Sequence, residues 1–315
     1  MRLATIEIEN SARPALVLNE EALDLVAARS FSSAARLVPD AVMDILAAGT
    51  EGRRLLNAVC EDLRNNASAA RSSGALRPLN AVKLCAPIPL PRMILAVGAN
   101  YHEHLKEMNA QPPATPMAFY KSVASVIGDG DDIVLPPSNP DMVDWEGEFA
   151  VVIGTACHNV SEADALDYVA GYTILNDVSA RDWVTEAFEA KGMMPTIVSW
   201  EHNILGKLFP TFCPIGPFIV TSDEISNPES LSIETRLNGR VVQSSNTSDL
   251  VFNVRQIIAY YSKFLTFMPG DIISTGSPSG VGFGHKPPLF MREGDVIEVT
   301  VESIGTLRNT IARKA

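Results

Sequence analysis

The chain has 315 residues, of which 46% are hydrophobic and 20% charged, and its formal net charge is −12. This composition is that of a folded globular protein, long enough for one large domain or two unequal ones. The acidic balance argues against nucleic acid and against an anionic membrane surface as partners, and an anionic metabolite would need a local group of cations.

Several features of the sequence bear on its location. The chain holds no apolar run of the roughly 18 residues that a membrane-spanning helix needs. Its start, MRLATIEIEN, has acidic residues where a signal peptide would have an apolar core. The cysteines are far apart, without zinc-binding spacing: Cys60, Cys85, Cys157 and Cys213. We therefore expect free thiols and a location in the reducing cytoplasm.

Residues 1–85 are predicted to form a small N-terminal α/β unit. LATIEIEN and PALVLN are typical of a strand pair, and helical patterns follow at 22–28, 41–48 and 51–66. From residue 86 the chain changes to short β-type runs separated by Gly and Pro. We therefore predict a second domain over residues 86–315.

The second domain is predicted to be mainly β. The Asn-Gly pair in LNGR indicates a hairpin, and SEADALDYVA and VFNVRQIIAYYSKFL are the clearest helical patterns. Because strands and helices do not alternate, Rossmann and TIM-barrel architectures are excluded. The expected fold class is α+β.

The stretch DWEGEFA puts three acids at every second position. In a continuous strand Asp144, Glu146 and Glu148 would share one face, where like charges repel. A Glu-x-Glu pair directs hard oxygen ligands at one point, which suits Mg²⁺, Mn²⁺ or Ca²⁺. The alternative is a solvated edge strand whose acids deter aggregation.

The stretch GYTILNDVSARDW adds two candidates. Asp177 follows a strand-like run, where it could be a third carboxylate ligand, and Arg181 could offer a planar fork to a substrate carboxylate. The alternative is a turn followed by a surface Arg-Asp pair.

The stretch NYHEHLKEM contains a candidate general base. His104 and Glu107 are three residues apart and share a face on a helical turn. A carboxylate beside an imidazole orients it and raises its basicity. The alternative is a pair of surface residues without a catalytic role.

Two weaker signals come later in the chain. Lys207 is a lone lysine beside an apolar, Pro-rich stretch and is by default a surface residue. Gly276 and Ser277 lie in STGSPSGVG, where a hydroxyl and backbone N–H groups could bind carboxylate or carbonyl oxygens. The alternative for this loop is a tight turn.

Together these motifs, in this order, resemble the fumarylacetoacetate hydrolase family from about residue 93 to the C-terminus. The resemblance implies a mixed β-roll catalytic domain, a homodimer, and a divalent metal, Mg²⁺ or Mn²⁺, with Ca²⁺ as a possible occupant in crystals. It implies the following residues: Glu146, Glu148 and Asp177 as metal ligands, His104 and Glu107 as the water-activating pair, Lys207 for the oxyanion, and Arg181, Gly276, Ser277 and Lys121 for the substrate. Lys121 could also be structural. Asp144 does not match a ligand position of the family. We expect it either to contact the metal ligands without binding the metal or to face solvent.

The resemblance further implies a hydrolase acting on carbon–carbon bonds in ketonic substances. Its substrate would be a 2,4-dioxo acid of the acylpyruvate or fumarylpyruvate type, cleaved through a metal-bound enolate to a carboxylic acid and an α-keto acid. The alternatives are an isomerase, tautomerase or oxaloacetate-type decarboxylase of aromatic catabolism using the same site, and a non-catalytic metal-binding homologue. Residues 183–206 depart from the family pattern near the expected pocket mouth, so the identity of the acyl group stays open.

Overall fold

The computed structural model describes residues 1–313. Within this range every helix falls short of the length and apolarity needed to cross a lipid bilayer. The α-helices are α1 (Val42–Ala47), α2 (Gly49–Ser72), α3 (His102–Glu107), α4 (Val184–Glu189), α5 (Met193–Leu205) and α6 (Val254–Tyr261).

Strands dominate the rest of the chain. They are β1 (Arg2–Ile8), β2 (Ser11–Leu18), β3 (Glu21–Asp24), β4 (Leu76–Pro78), β5 (Lys83–Cys85), β6 (Ile94–Gly98), β7 (Met117–Tyr120), β8 (Val126–Ile127), β9 (Asp132–Leu135), β10 (Val143–Asp144), β11 (Gly147–Ile153), β12 (Val169–Asn176), β13 (Ser179–Ala180), β14 (Cys213–Thr221), β15 (Ser232–Leu237), β16 (Arg240–Asn246), β17 (Ile272–Ser274), β18 (Val296–Val301) and β19 (Gly305–Arg313). The predicted β-rich α+β class is confirmed.

One sheet of 12 strands runs in the order β4-β3-β2-β1-β14-β12-β11-β17-β6-β7, with β5 against β1 and β8 against β14. A second sheet of 5 strands has the order β16-β15-β18-β19-β9. Apolar side chains of β11 and β12 pack with those of β15, β18 and β19 in one buried cluster. At Gly147 the sheets approach so closely that a β-carbon would lie 2.2 Å from Thr235 Oγ1. The two sheets thus fix the start of β11.

The N-terminal unit is continuous with the large sheet. Strand β1 pairs with β2 on one side and with β14 on the other, where Leu3 faces Ile219. A buried apolar cluster contains both residues and also Val152 of β11. The boundary at residue 85 therefore lies within a shared sheet, and the division into two domains stays a prediction.

Several predicted elements are confirmed. The first strand pair is β1 and β2, and the helical patterns at 41–48 and 51–66 are α1 and α2. The Asn-Gly signal forms the hairpin between β15 and β16, where Leu237 pairs with Arg240. Helix α6 begins after Asn253, whose side chain caps it in a capping box with Gln256.

Two predicted helices are wrong. Residues 22–28 begin instead as β3, because pairing of Leu23 with Leu16 completes a three-stranded meander that buries Leu23. In SEADALDYVA the only helical segment is the 3₁₀ turn Ala165–Tyr168, because Val169 starts β12 and joins the large sheet. Strand pairing overrides local helix propensity in both segments. Helices α4 and α5 were not predicted.

Candidate active site

Three carboxylates meet at the end of β12, where it lies beside β11. The two strands are antiparallel, with Gly147 opposite Asn176, and the Asp177 N–H donates to the carbonyl oxygen of Glu146 at 2.8 Å. One carboxylate oxygen each from Glu146, Glu148 and Asp177 lies within 4.8 Å of the others. We call these three residues the carboxylate floor, and the structure brings them together as the sequence predicted.

Two buried lysines form ion pairs with the carboxylate floor. The Lys207 ammonium donates to Glu146 at 2.8 Å, Asp177 at 2.8 Å and Ser179 Oγ at 2.7 Å. Lys121 donates to the other Asp177 oxygen at 2.5 Å and to the Lys207 carbonyl at 2.6 Å. An ammonium has three donors, so Lys207 is engaged in full by protein oxygens. The default surface location of Lys207 is wrong, since it is buried, and Lys121 lies behind Asp177 in a supporting position.

Arg181 bridges two acids, Asp144 and Glu146, at the border of the cavity. Its Nε donates to Asp144 at 2.8 Å and its Nη2 to Glu146 at 2.6 Å. Asp144 is fully buried and also accepts the N–H groups of Gly282 and Phe283, at 2.6 and 3.0 Å. Asp144 thus supports Glu146 through their shared partner Arg181, and the solvent-facing alternative is wrong. The predicted continuous strand is interrupted here, because β10 ends at Asp144 and β11 begins at Gly147.

The floor has an unbalanced negative charge. Burial raises the pKa of Glu148 well above its usual range, and the nearby Asp177 and Glu146 raise it further. Burial also opposes the ionisation of Glu146, but Lys207 and Arg181 outweigh it and lower that pKa. Three cationic side chains face four buried carboxylates: Lys121, Lys207 and Arg181 against Asp144, Glu146, Glu148 and Asp177. A divalent cation with a preference for oxygen ligands fits this charge and this donor set.

A histidine and a glutamate stand at the side of the floor. His104 Nδ1 lies 2.9 Å from a Glu107 carboxylate oxygen on α3. The Gly280 N–H donates to Glu107 at 3.2 Å, and a β-carbon at Gly284 would lie 2.6 Å from Glu107 Oε1. Burial opposes the ionisation of Glu107, but the hydrogen bonds from His104 and Gly280 lower its pKa. Glu107 is therefore held as a carboxylate against the imidazole.

The Gly-rich loop supports the acids of the protein itself. Its N–H groups at Gly276, Gly280 and Gly282 donate to Glu148, Glu107 and Asp144, respectively. Ser277 Oγ accepts a hydrogen bond from Gln243 Nε2 at 2.9 Å and borders the cavity. The loop therefore orients carboxylates, and substrate binding by Gly276 and Ser277 stays a prediction.

Sequence reasoning missed three supporting residues. Ser179 accepts from Lys207, Ser274 donates to Glu148, and Gln243 donates to Ser277. Their positions carry a weak signal only, since Ser179 and Ser274 stand within three residues of a predicted site residue. Gln243 comes from a hairpin strand whose sequence points to no site.

A cavity of about 500 Å³ opens above the floor. It is bordered by the following predicted site residues: His104, Glu107, Glu146, Glu148, Asp177, Arg181, Lys207 and Ser277. Helices α4 and α5 supply part of its upper wall, so residues 183–206 lie near the pocket mouth as predicted. The arrangement places the carboxylate floor and an oriented imidazole in one cavity.

The family model for the C-terminal domain of fumarylacetoacetate (FAA) hydrolase matches residues 93–312. The chain belongs to the fumarylacetoacetate hydrolase family. Human oxaloacetate tautomerase FAHD2B, mitochondrial, is 43% identical over 234 residues, which are 74% of this chain and 71% of the human protein. The predicted family is thereby confirmed.

Two solved structures of the fumarylacetoacetate hydrolase family show the same fold over 100% of both chains. Fumarylacetoacetate hydrolase from Exiguobacterium antarcticum has a TM-score of 0.76 and 30% identity. Maleylpyruvate hydrolase from Sphingobium, in complex with manganese(II) and pyruvate, has a TM-score of 0.73 and 29% identity. The predicted family fold is confirmed.

Proposed function

We propose that this chain is a divalent-metal-dependent tautomerase that interconverts the keto and enol forms of oxaloacetate or a related 2-oxo acid. The observation that carries the proposal is the carboxylate floor with the His104–Glu107 pair beside it in one cavity. The relative named an oxaloacetate tautomerase supports this reaction over the hydrolysis that the sequence favoured.

Glu146, Glu148 and Asp177 would hold Mg²⁺ or Mn²⁺, since all three offer carboxylate oxygens. When bound, the metal supplies Lewis-acid polarisation of the 2-oxo group and a template for the substrate oxygens. Lys207 and Arg181 keep Glu146 in place through ion pairs on both of its oxygens. The buried ion pairs thus preorganise the site before the substrate arrives.

His104 is suited to move the proton. Its Nδ1 contacts Glu107, which makes Nε2 the ring nitrogen available to a molecule in the cavity. Nε2 would take a proton from C3 of the keto form and give it to the 2-oxygen of the resulting enolate, so that the net change is an isomerisation. Glu107 stabilises the imidazolium that exists between the two transfers.

Hydrolysis of an acylpyruvate is the second candidate. The same His104–Glu107 pair could activate water. The similarity to the maleylpyruvate hydrolase bound to manganese(II) and pyruvate favours it. The two reactions share the floor and differ in whether water is consumed. Oxaloacetate decarboxylation is a third outcome, recognised by release of CO₂.

The experiment follows the decay of the oxaloacetate enol by ultraviolet absorbance, with Mg²⁺ or Mn²⁺, against a control with the same free metal and no protein. Pyruvate and carboxylic acid release from acylpyruvates is measured in parallel by mass spectrometry. We expect rapid tautomerisation that EDTA abolishes. Cleavage of acylpyruvate without any acceleration of tautomerisation would contradict the proposal.

The assembly and the location stay proposals. A homodimer, implied by the family resemblance, is checked by light scattering of the purified chain. A cytoplasmic location is the sequence prediction, while the human relative is named as mitochondrial.

A further inference from the structure

The cavity is larger than a small dicarboxylic acid requires. Its volume of about 500 Å³ lies within the range of about 300–1,000 Å³ that is typical of pockets for drug-sized ligands. A 2-oxo acid such as oxaloacetate, with its oxygens at the carboxylate floor, would leave the upper part of the cavity without a ligand group. The side chains that line this upper part would therefore influence which substrate binds.

The upper walls are apolar on two sides. Val184 and Phe188 on α4, and Trp200 and Ile204 on α5, border the cavity, and each pair has the spacing of four residues that places side chains on one helix face. Met117 and Phe119 also border the cavity. They alternate on β7 and so share a face of that strand. We call these six residues the apolar mouth.

The apolar mouth leaves uncovered aromatic surface. Phe188 is 66% exposed and Trp200 is 50% exposed, although both border the cavity. Apolar surface of this kind gains free energy when an apolar group of a ligand displaces water from it. A ligand bound at the floor could reach it without leaving the cavity.

The upper part of the cavity offers few groups that would bind a charged tail of a ligand. Lys286 borders the same cavity, but its side chain is exposed to solvent. An ion pair with an exposed lysine contributes little, because water and salt screen it. Asn203 offers a single amide at the wall. The chemistry of the mouth therefore favours an apolar group over a second carboxylate.

We propose that the preferred substrate is a 2-oxo acid that carries an apolar alkyl or aromatic group beyond C3. Its oxo-acid end lies at the carboxylate floor, and its tail lies between β7 and the α4–α5 pair. The position of the oxo-acid end rests on the proposed function; the tail preference rests on the apolar mouth.

The test is a calorimetric binding series in the presence of Mg²⁺. The ligands are pyruvate and its straight-chain homologues up to 2-oxohexanoate, together with phenylpyruvate and, as the charged-tail ligand, 2-oxoadipate. We expect the affinity to rise about three- to fourfold for each added methylene, the gain for burying one such group. A flat or falling series, or tighter binding of 2-oxoadipate than of 2-oxohexanoate, would overturn the proposal.

Matched variants locate the effect. Trp200→Ala is expected to weaken 2-oxohexanoate and phenylpyruvate about tenfold and pyruvate less than about twofold, since the tryptophan contacts only the tail. Ile197→Ala is the control, because Ile197 is 52% exposed on the same helix and lies outside the cavity lining. Equal weakening of pyruvate and the long-chain acids by Trp200→Ala would overturn the role of the mouth.

The same series separates the two proposals. If tautomerisation is detected and pyruvate binds but chain length has no effect, the tail preference alone fails. If the long-chain acids bind as expected while no 2-oxo acid is tautomerised, including phenylpyruvate, the proposed reaction fails and the tail preference stands.

Discussion

The carboxylate floor and the apolar mouth face one cavity but are built in opposite ways. The floor residues are buried, held by strands and cross-linked by Lys121, Lys207 and Arg181. The mouth exposes large apolar side chains on the helices α4 and α5, whose main contacts are with each other. The difference indicates that the chemistry is fixed by a rigid scaffold, whereas substrate choice is set by peripheral helices.

The buried charges of the carboxylate floor also lower the stability of the fold, whereas the apolar mouth contains no such charges. Burying charges is unfavourable even when they are paired. Glu148 lies beside Asp177 and Glu146 and forms no ion pair with a cationic side chain of residues 1–313. A fold selected for stability alone would place apolar residues here. The presence of buried carboxylates at the base of a cavity is therefore best explained by function.

The largest effect is expected from Glu148→Gln. The amide keeps the shape of the side chain and removes a buried charge, so the fold should persist, while Mn²⁺ affinity should fall by at least about 100-fold and activity should fall to the background rate. Calorimetry and thermal unfolding measure the two properties. Glu61→Gln, at an exposed position of α2, is the control. Wild-type Mn²⁺ affinity in Glu148→Gln would remove Glu148 from the ligand set.

The next effect in size is that of His104→Ala. Loss of the proton-transfer group should lower the turnover of oxaloacetate by about 100-fold or more, while Mn²⁺ affinity changes less than about twofold. Exchange of the C3 hydrogens in D₂O, followed by NMR, is the measurement. If exchange persists while acylpyruvate cleavage is lost, His104 activates water and the second candidate function gains support.

A smaller effect is expected from Gly284→Ala. The added methyl group would meet the Glu107 carboxylate, at 2.6 Å from Oε1, and push it away from His104. Turnover should fall about tenfold, less than the loss expected on removing the histidine itself. In combination with Glu107→Gln the losses should not add, because both act through one contact. Additive losses would show that Gly284 acts by another route.

The smallest effect is expected on the outer side of the mouth helices. Val198→Ser replaces a side chain that is 41% exposed on α5 and absent from the cavity lining. Turnover should be unchanged, and the free energy of unfolding should shift by less than about 0.5 kcal/mol. A larger loss of stability that depends on protein concentration would show that this side of α5 packs against a second copy of the chain.

Local patterns together with the family resemblance predicted the carboxylate floor, but they did not predict the residues that support it. Glu146, Glu148 and Asp177 stand in motifs whose residue types and strand positions carry the signal. The partners of Asp144 and Lys207 lie up to 138 residues away, and side-chain pairing at such separations leaves no local trace. The β-strand pairing of Leu23 with Leu16 and the start of β12 at Val169 were missed because strand pairing overrides the local helical pattern.

The mouth escaped prediction for a different reason. Helix α5 carries apolar residues around much of its circumference, including Met193, Met194, Ile197, Val198 and Trp200. An amphipathic helix is recognised by one apolar face opposite a polar one, so this segment indicated neither a helix nor its orientation. The family resemblance located residues 183–206 near the pocket mouth, but it did not give their structure.

The most direct test of the account measures metal occupancy and tautomerisation on one sample. Mn²⁺ is titrated into metal-free protein, bound ion is counted by electron paramagnetic resonance, and the decay of the oxaloacetate enol is recorded at each step against buffer with equal free Mn²⁺. We predict a rate proportional to occupancy, saturating at one ion per chain, and no such rate in Glu148→Gln. A rate in the metal-free protein equal to that of the loaded protein would contradict the central claim.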